Sequence, residues 1–153
     1  MSVVWVDADA CPKSIREIIL RAAERTKTHT RLVANHALPV PRSPFVATIT
    51  VPSGADAADA LIHERIEAGE LLITSDIPLA DLVLAKGAVV LTPRGESLDA
   101  ENIRGRLNMR DFMETLRASG EHSGGPKPLG EREVRAFANA FDRALARMLR
   151  SRG

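Results

Sequence analysis

Six aspartates stand at spacings that suit metal-assisted chemistry: Asp7, Asp9, Asp56, Asp59, Asp76 and Asp81. Asp7 and Asp9 belong to the stretch VVWVDADACP, in which the apolar run from Val3 to Val6 leads straight into the acids. An acid at the end of a buried strand costs free energy unless it is paired or binds a cation. No basic residue follows until Lys13. Asp56 and Asp59 open a helical segment, and their i, i+3 spacing puts them on one face. Asp76 follows the apolar run LLIT, and Asp81 lies one turn into the next helix. Each acid alone also suits a helix start, where Asp9, Asp56 or Asp76 would cap or complement the dipole. Their convergence is the informative property. Several carboxylates meeting at one place call for a hard divalent cation, Mg²⁺ or Mn²⁺, which takes oxygen ligands and keeps waters.

The elements that must position these acids alternate along the chain. Residues 3–6 form a short, continuously apolar strand. Pro12 suits the first turn of a helix whose apolar face is Ile15, Ile18, Ile19, Ala22 and Ala23. TRLVAN (30–35) and FVATITV (45–51) are strands, separated by the proline-rich ALPVPRSP. A helix from the Asp56 region runs to about Ala68 and stops at Gly69. LLIT (71–74) is a strand, IPLADLVLAKG a short helix, and AVVLT (88–92) the last clear strand. From there the chain reads as helical over 98–118, loose over 119–128, and helical again from about Glu131 to Leu149.

This alternation predicts an α/β fold with a mostly parallel sheet, helices on both faces and additional C-terminal helices. In such sheets ligands sit outside the carboxyl ends of the strands, where the acids fall. A chain of 153 residues is expected to form one domain, a sheet-containing body over 1–97 with a helical extension over 98–153. Aromatic residues make up 3%, with no Tyr, so the core is aliphatic. The single cysteine, Cys11, excludes an internal disulfide and a cysteine-based zinc site, and reads as a small packing residue. No leader pattern opens the chain and no apolar run reaches spanning length, so a cytoplasmic location without a membrane partner is expected. Residues 1–100 carry 10 Lys and Arg against 13 Asp and Glu, whereas residues 101–153 carry 11 against 7. An acidic body with a basic tail is compatible with a polyanion partner, the acids masked by metal and the arginines meeting phosphate.

The stretches WVDADACP, SGADAADALI, TSDIPLADLVLAKGAVVLTPRG, NIRGRLNMRDFMETLR and GGPKPLGEREVRAFANAFDRAL together resemble the bacterial YaiI/YqxD family, which is grouped with the PIN-like nucleases. The resemblance covers nearly the whole chain. It implies a PIN-like central parallel sheet with an acidic cluster that binds Mg²⁺ or Mn²⁺. Asp7 then takes the place of the first PIN acid, Asp56 and Asp59 are similar to the helical acids, and Asp76 looks like the acid of the T-x-D-x-D or S-x-D-x-D turn. Pro78 stands where that turn carries its second acid, a place Asp81 would fill from a turn later, and Asp9 adds an acid.

The activity implied is metal-dependent hydrolysis of phosphodiester bonds in RNA or single-stranded nucleic acid. Asp7, Asp9 and Asp76 are the expected catalytic residues. The expected metal ligands are Asp7, Asp9, Asp56, Asp59, Asp76 and Asp81, with Asp7 central. Ser75 or Thr74 offers a hydroxyl to a phosphate or a metal-bound water. Arg104, Arg106 and Arg110, with Asn102 and Asn108, form a polar cluster suited to phosphate contact or to a solvated connector. His63 lies one turn beyond Asp59, and solvent is its expected environment. The last helix, with Val134, Phe137, Ala138, Phe141, Leu145 and Met148 in register, packs on the sheet or on a second subunit of a homo-oligomer. Two other functions share these features. One is an RNA-binding or regulatory module that keeps the pocket without turnover. The other is a haloacid-dehalogenase-like phosphatase with Asp7 as nucleophile, although no convincing lysine-plus-paired-acid segment follows.

Overall fold

A computed structural model of the chain describes residues 2–54, 56–108 and 129–151. Six strands form one sheet in the order β3-β2-β1-β4-β5-β6. They are β1 (Val3–Asp7), β2 (His29–Ala34), β3 (Val46–Thr50), β4 (Leu71–Ile73), β5 (Val89–Leu91) and β6 (Ser97–Leu98). Every pairing is parallel except β5 with β6. The helices are α1 (Lys13–Thr26), α2 (Ala57–Arg65), α3 (Ile77–Ala85), a helical stretch α4 over 103–108, and α5 (Glu131–Ser151). The predicted α/β architecture is thus the one observed.

β1 lies at the centre because it can be buried on both faces. Its side chains alternate: Val4 and Val6 join a cluster with Ile15 and Ile19 of α1 and Phe137, Phe141 and Leu145 of α5. Val3 and Trp5 join the opposite cluster, with Ile62 of α2, Leu79 and Val83 of α3, and Ile103 of α4. Leu71 and Ile73 follow the first face and Leu72 the second. This two-residue period is what a strand covered by helices on both sides requires. The apolar face read in the last helix therefore packs on this sheet: Phe137 and Phe141 stack with centroids 5.4 Å apart, and both are buried. Each such ring adds on the order of 2 kcal/mol of burial. Gly95, at φ +87° between β5 and β6, lets this packing close, because a Cβ there would lie 2.8 Å from the Ala136 carbonyl.

Three boundaries differ from the sequence reading. α2 stops at Arg65 rather than near Ala68, since Ile66 is extended and 1% exposed. Burying this β-branched side chain outweighs another helical turn. Leu98 is not helical: residues 97–98 add a short antiparallel strand beside β5. The helix after it starts at 103, because the Asp99 carboxylate accepts the N–H groups of Glu101 and Asn102 at 2.9 and 2.8 Å and holds a turn there. The expected continuation to 118 and the loose segment 119–128 fall mostly on residues 109–128, outside the described residues, as does Arg110.

Strand order sets the location of any site. From β1 the sheet grows through β2 to β3 on one side, and through β4 to β5 and β6 on the other. The connections therefore diverge at the carboxyl ends of β1 and β4, leaving a crevice of the kind that binds ligands in open α/β sheets.

Candidate functional site

Asp7 is the last residue of β1 and is 8% exposed. Its Oδ2 accepts a 2.8 Å hydrogen bond from the Thr74 hydroxyl at the end of β4. The same hydroxyl oxygen accepts the Asp76 N–H at 3.0 Å. Thr74 thus ties the two strand ends together across the switch point, and its hydroxyl is engaged there rather than offered to a ligand. Asp76 in turn caps α3, with Oδ1 accepting the Leu79 N–H at 3.0 Å. The capping and site readings of Asp76 are therefore compatible, since one oxygen caps while the carboxyl borders the cleft.

Asp59 completes the cluster from α2. Its carboxyl is pushed up to about 6, first by burial, then by the charges of Asp76 and Asp7, by a hydrogen bond with Asp76, and by Asp56. A hydrogen bond between two carboxyls needs a proton on one of them. Asp7 is also raised above the usual aspartate range: burial is the largest cause, opposed by the Thr74 hydrogen bond and reinforced by Asp76 and Asp9. Like charges gathered in partial burial disfavour full ionisation.

The cleft has a volume of about 550 Å³ and is bordered by Asp7, Asp9, Asn35, Gly54, Asp59 and Asp76. Among the described residues lining it there is no Lys, Arg or His. Asp9 lies in a short 3-10 turn, Ala8–Ala10, and secures the end of β2: its Oδ2 accepts the Asn35 N–H at 2.8 Å and its Oδ1 lies 3.0 Å from His36 Nδ1. The proposed cap of α1 by Asp9 is absent, as Pro12 occupies that position.

Four of the six candidate acids come together, and two do not. Asp56 precedes α2, is exposed, and makes no side-chain capping bond. Asp81 is exposed on α3 and borders a separate hollow with Leu84, Ile103 and Arg104. Five residues along a helix turn the side chain by about 140° from the starting face, which carries Asp81 away from Asp76. Arg104 and Arg106 also part company: Arg106 pairs with Glu96 in a hollow that includes Ser75. His63 borders none of these clefts, and its carbonyl accepts from Lys86 Nζ. Cys11 is buried, and burial pushes its thiol up to about 12.

Asn35 and the locking role of Thr74 were missed in the sequence. The available signal was topological: residues that end strands flanking β1 must neighbour Asp7. Among the described residues no three His, Cys, Asp or Glu side chains are arranged to hold one metal ion as they stand. Among the described residues no helix is long and apolar enough to cross a membrane.

Comparison with known proteins extends over almost the whole chain. It is 60% identical over 145 residues to a UPF0178 protein of Shewanella amazonensis, covering 95% of this chain and 97% of that one. A UPF0178 protein of Saccharophagus degradans is 56% identical over 147 residues, covering 96% and 97%. One from Vibrio vulnificus is 56% identical over 144 residues, covering 94% and 97%. No solved structure matches the chain. The profile of the family described as "Uncharacterized BCR, YaiI/YqxD family" matches residues 5–147, and the chain belongs to that family.

Proposed function

We propose that the protein is a divalent-metal-dependent phosphodiesterase acting on RNA or single-stranded nucleic acid, with a PIN-like arrangement of acids. One observation carries the reading: Asp7, 8% exposed on the central strand, shares a cleft with Asp59 and Asp76, with no Lys, Arg or His among the described residues lining it. Helix capping accounts for one oxygen of Asp76 and leaves this crowding unexplained. A cation resolves it.

The donor set fits Mg²⁺ or Mn²⁺, since every candidate ligand is a carboxylate oxygen and the open cleft leaves room for retained waters. Asp7, Asp59 and Asp76 would hold the ion once their carboxylates turn toward it from the positions they take here, with Asp9 joining after release from Asn35 and His36. A bound divalent ion polarises a phosphoryl oxygen and lowers the pKa of a bound water. The chain's own residues prepare that chemistry. Thr74 fixes the Asp7 carboxylate, and α3 fixes Asp76 through its capped amide. Asp59, pushed up to about 6, holds its proton to a higher pH than an ordinary aspartate, and below that pH a bound cation would have to displace it.

The test is incubation of labelled single-stranded RNA with wild type and Asp7→Asn, in Mn²⁺ and in chelator. Cleavage by wild type in Mn²⁺, reduced on the order of a hundredfold or more in the variant, is the expected result. Metal-independent binding without cleavage would instead favour a module that holds nucleic acid without turnover. The engagement of Asp9 with Asn35 and His36 is the observation that favours that second reading. The phosphatase alternative draws no support from the cleft, where no lysine is present among the described lining residues.

A further inference from the structure

Next to the acidic cleft lies a second hollow of about 520 Å³, in the range that small ligands occupy. Ala10 borders both, and Ser75 of the second stands beside Asp76 of the first. Its walls are Pro12, Ile77, Pro93 and Leu129, and its polar rim is Ser75, Thr92, Arg94 and the Arg106–Glu96 pair. One side is therefore apolar and the other carries the Arg106 guanidinium in its pair with Glu96, on the same carboxyl edge as the acids.

We infer that this hollow receives one nucleotide of a single-stranded nucleic acid, with its base against the proline and aliphatic walls and its phosphate toward Arg106, so that the next phosphodiester lies over the acidic cleft. The inference rests on the nucleic-acid reading of that cleft. Its support is charge complementarity and continuity. Proteins that hold single strands usually stack bases on exposed aromatic rings. Here Trp5, Phe137 and Phe141 are each 1% exposed or less, and Phe45 packs edge-on against His29. Among the described residues, base contact near the acids therefore falls to these flat aliphatic surfaces. Arg106 offers a planar fork that matches phosphate oxygens, and Glu96 competes for it. Arg104, only two residues away, faces the Asp81 hollow and takes no part.

The test is a chemical-shift titration of the full chain in chelator with 5′-AMP, 5′-UMP, adenosine and ribose 5-phosphate. Both nucleotides should bind at least about tenfold more tightly than ribose 5-phosphate, because the base supplies the apolar contact. Shifts should centre on Ser75, Ile77 and Thr92. Arg106→Ala should make AMP and adenosine bind equally. Glu96→Gln should tighten AMP severalfold by removing the competing carboxylate, an effect of opposite sign that no folding defect produces. Ser75→Trp should fill the hollow and block all four. Equal binding of nucleotides and ribose 5-phosphate, no binding, or no change in Glu96→Gln would overturn the inference. RNA cleavage in Mn²⁺ is followed in parallel. Cleavage without nucleotide selectivity defeats the nucleotide hollow alone, and nucleotide binding without cleavage defeats the hydrolytic reading alone.

Discussion

The two ends of the sheet each bury an acid and treat it in opposite ways. At the amino end Glu70 precedes β4 and is 5% exposed. Its carboxylate accepts the Val3 N–H at 2.9 Å, the Trp5 Nε1–H at 3.0 Å and the Glu67 N–H at 2.9 Å. At the carboxyl end Asp7, 8% exposed, has one hydrogen-bond donor among the described residues, Thr74, and its further neighbours include carboxylates. Glu70 resides among N–H donors and Asp7 among like charges. The first arrangement joins β1 to β4 and holds the indole of Trp5 in place. The second gives up stability locally and retains a concentrated negative field, which is what a cation site needs before its ion arrives.

The largest expected effect breaks the satisfied end. Glu70→Ala strands three N–H donors, two of them in bonds that cross from β1 to β4 and are buried. Buried donors without partners cost about 1–3 kcal/mol each, so a loss of roughly 3 kcal/mol or more is expected. Urea denaturation measures it. A loss under about 1 kcal/mol would mean water replaces the carboxylate, and the contrast between the two ends would weaken.

At the other end the sign reverses. Asp7→Asn removes a charge that burial and the neighbouring acids disfavour, while its amide oxygen can still accept from Thr74. In chelator at neutral pH the variant should be more stable by on the order of 1 kcal/mol, a rise of about 2–4 °C in Tm. It should also lose the Tm rise that Mn²⁺ gives wild type, because an ion that binds only the folded state stabilises by mass action. Destabilisation of Asp7→Asn in chelator would make Asp7 a structural residue like Glu70.

This contrast was half legible in the sequence. Asp7 announced itself because an acid ends a wholly apolar strand, and Asp76 because it follows another. Asp59 was reachable through its i, i+3 relation to Asp56, although only Asp59 borders the cleft. Asp81 misled because a count of turns places a residue near another along the helix axis and says nothing of the angle between their faces. Glu70 left no local trace, since Val3 and Trp5, its partners across the sheet, are 67 and 65 residues away. β6 is two residues long, too short to carry a periodicity. Patterns within one element survive translation into structure, whereas contacts made by topology need the strand order first.

A third effect sharpens the comparison through pH. The Asp59 carboxyl stands at about 6 in the folded chain against an ordinary value of 3.8. The folded state therefore binds this proton more tightly than the unfolded state. Its contribution to stability is full below about pH 4 and is lost as pH rises through about 6. In chelator, wild type should lose stability across that window. Asp59→Asn should flatten the profile, and thermal melts at half-unit steps of pH would show it. A slope unchanged in Asp59→Asn would assign the proton to another member of the cluster.

The smallest expected effect is kinetic and uses Cys11 as a reporter. The thiol lies in the cluster beneath α1 and α5, one 3-10 turn from Asp7, and is pushed up to about 12 chiefly by burial, with the Asp7 charge adding to it and Arg16 opposing. It is thus protonated and shielded at pH 8, and alkylation must wait for local opening. If repulsion among the acids loosens the carboxyl end, iodoacetamide should modify Cys11 a few-fold faster in chelator than in saturating Mn²⁺. Asp7→Asn should react at the slower rate in both. Glu70→Ala should be faster in both and remain sensitive to Mn²⁺, since its defect lies at the far end of the sheet and leaves the acids in place. A wild-type rate that equals the global unfolding rate and ignores Mn²⁺ would show that the two ends open as one unit, and that crowded carboxylates at β1 do not make their end of the sheet separately labile.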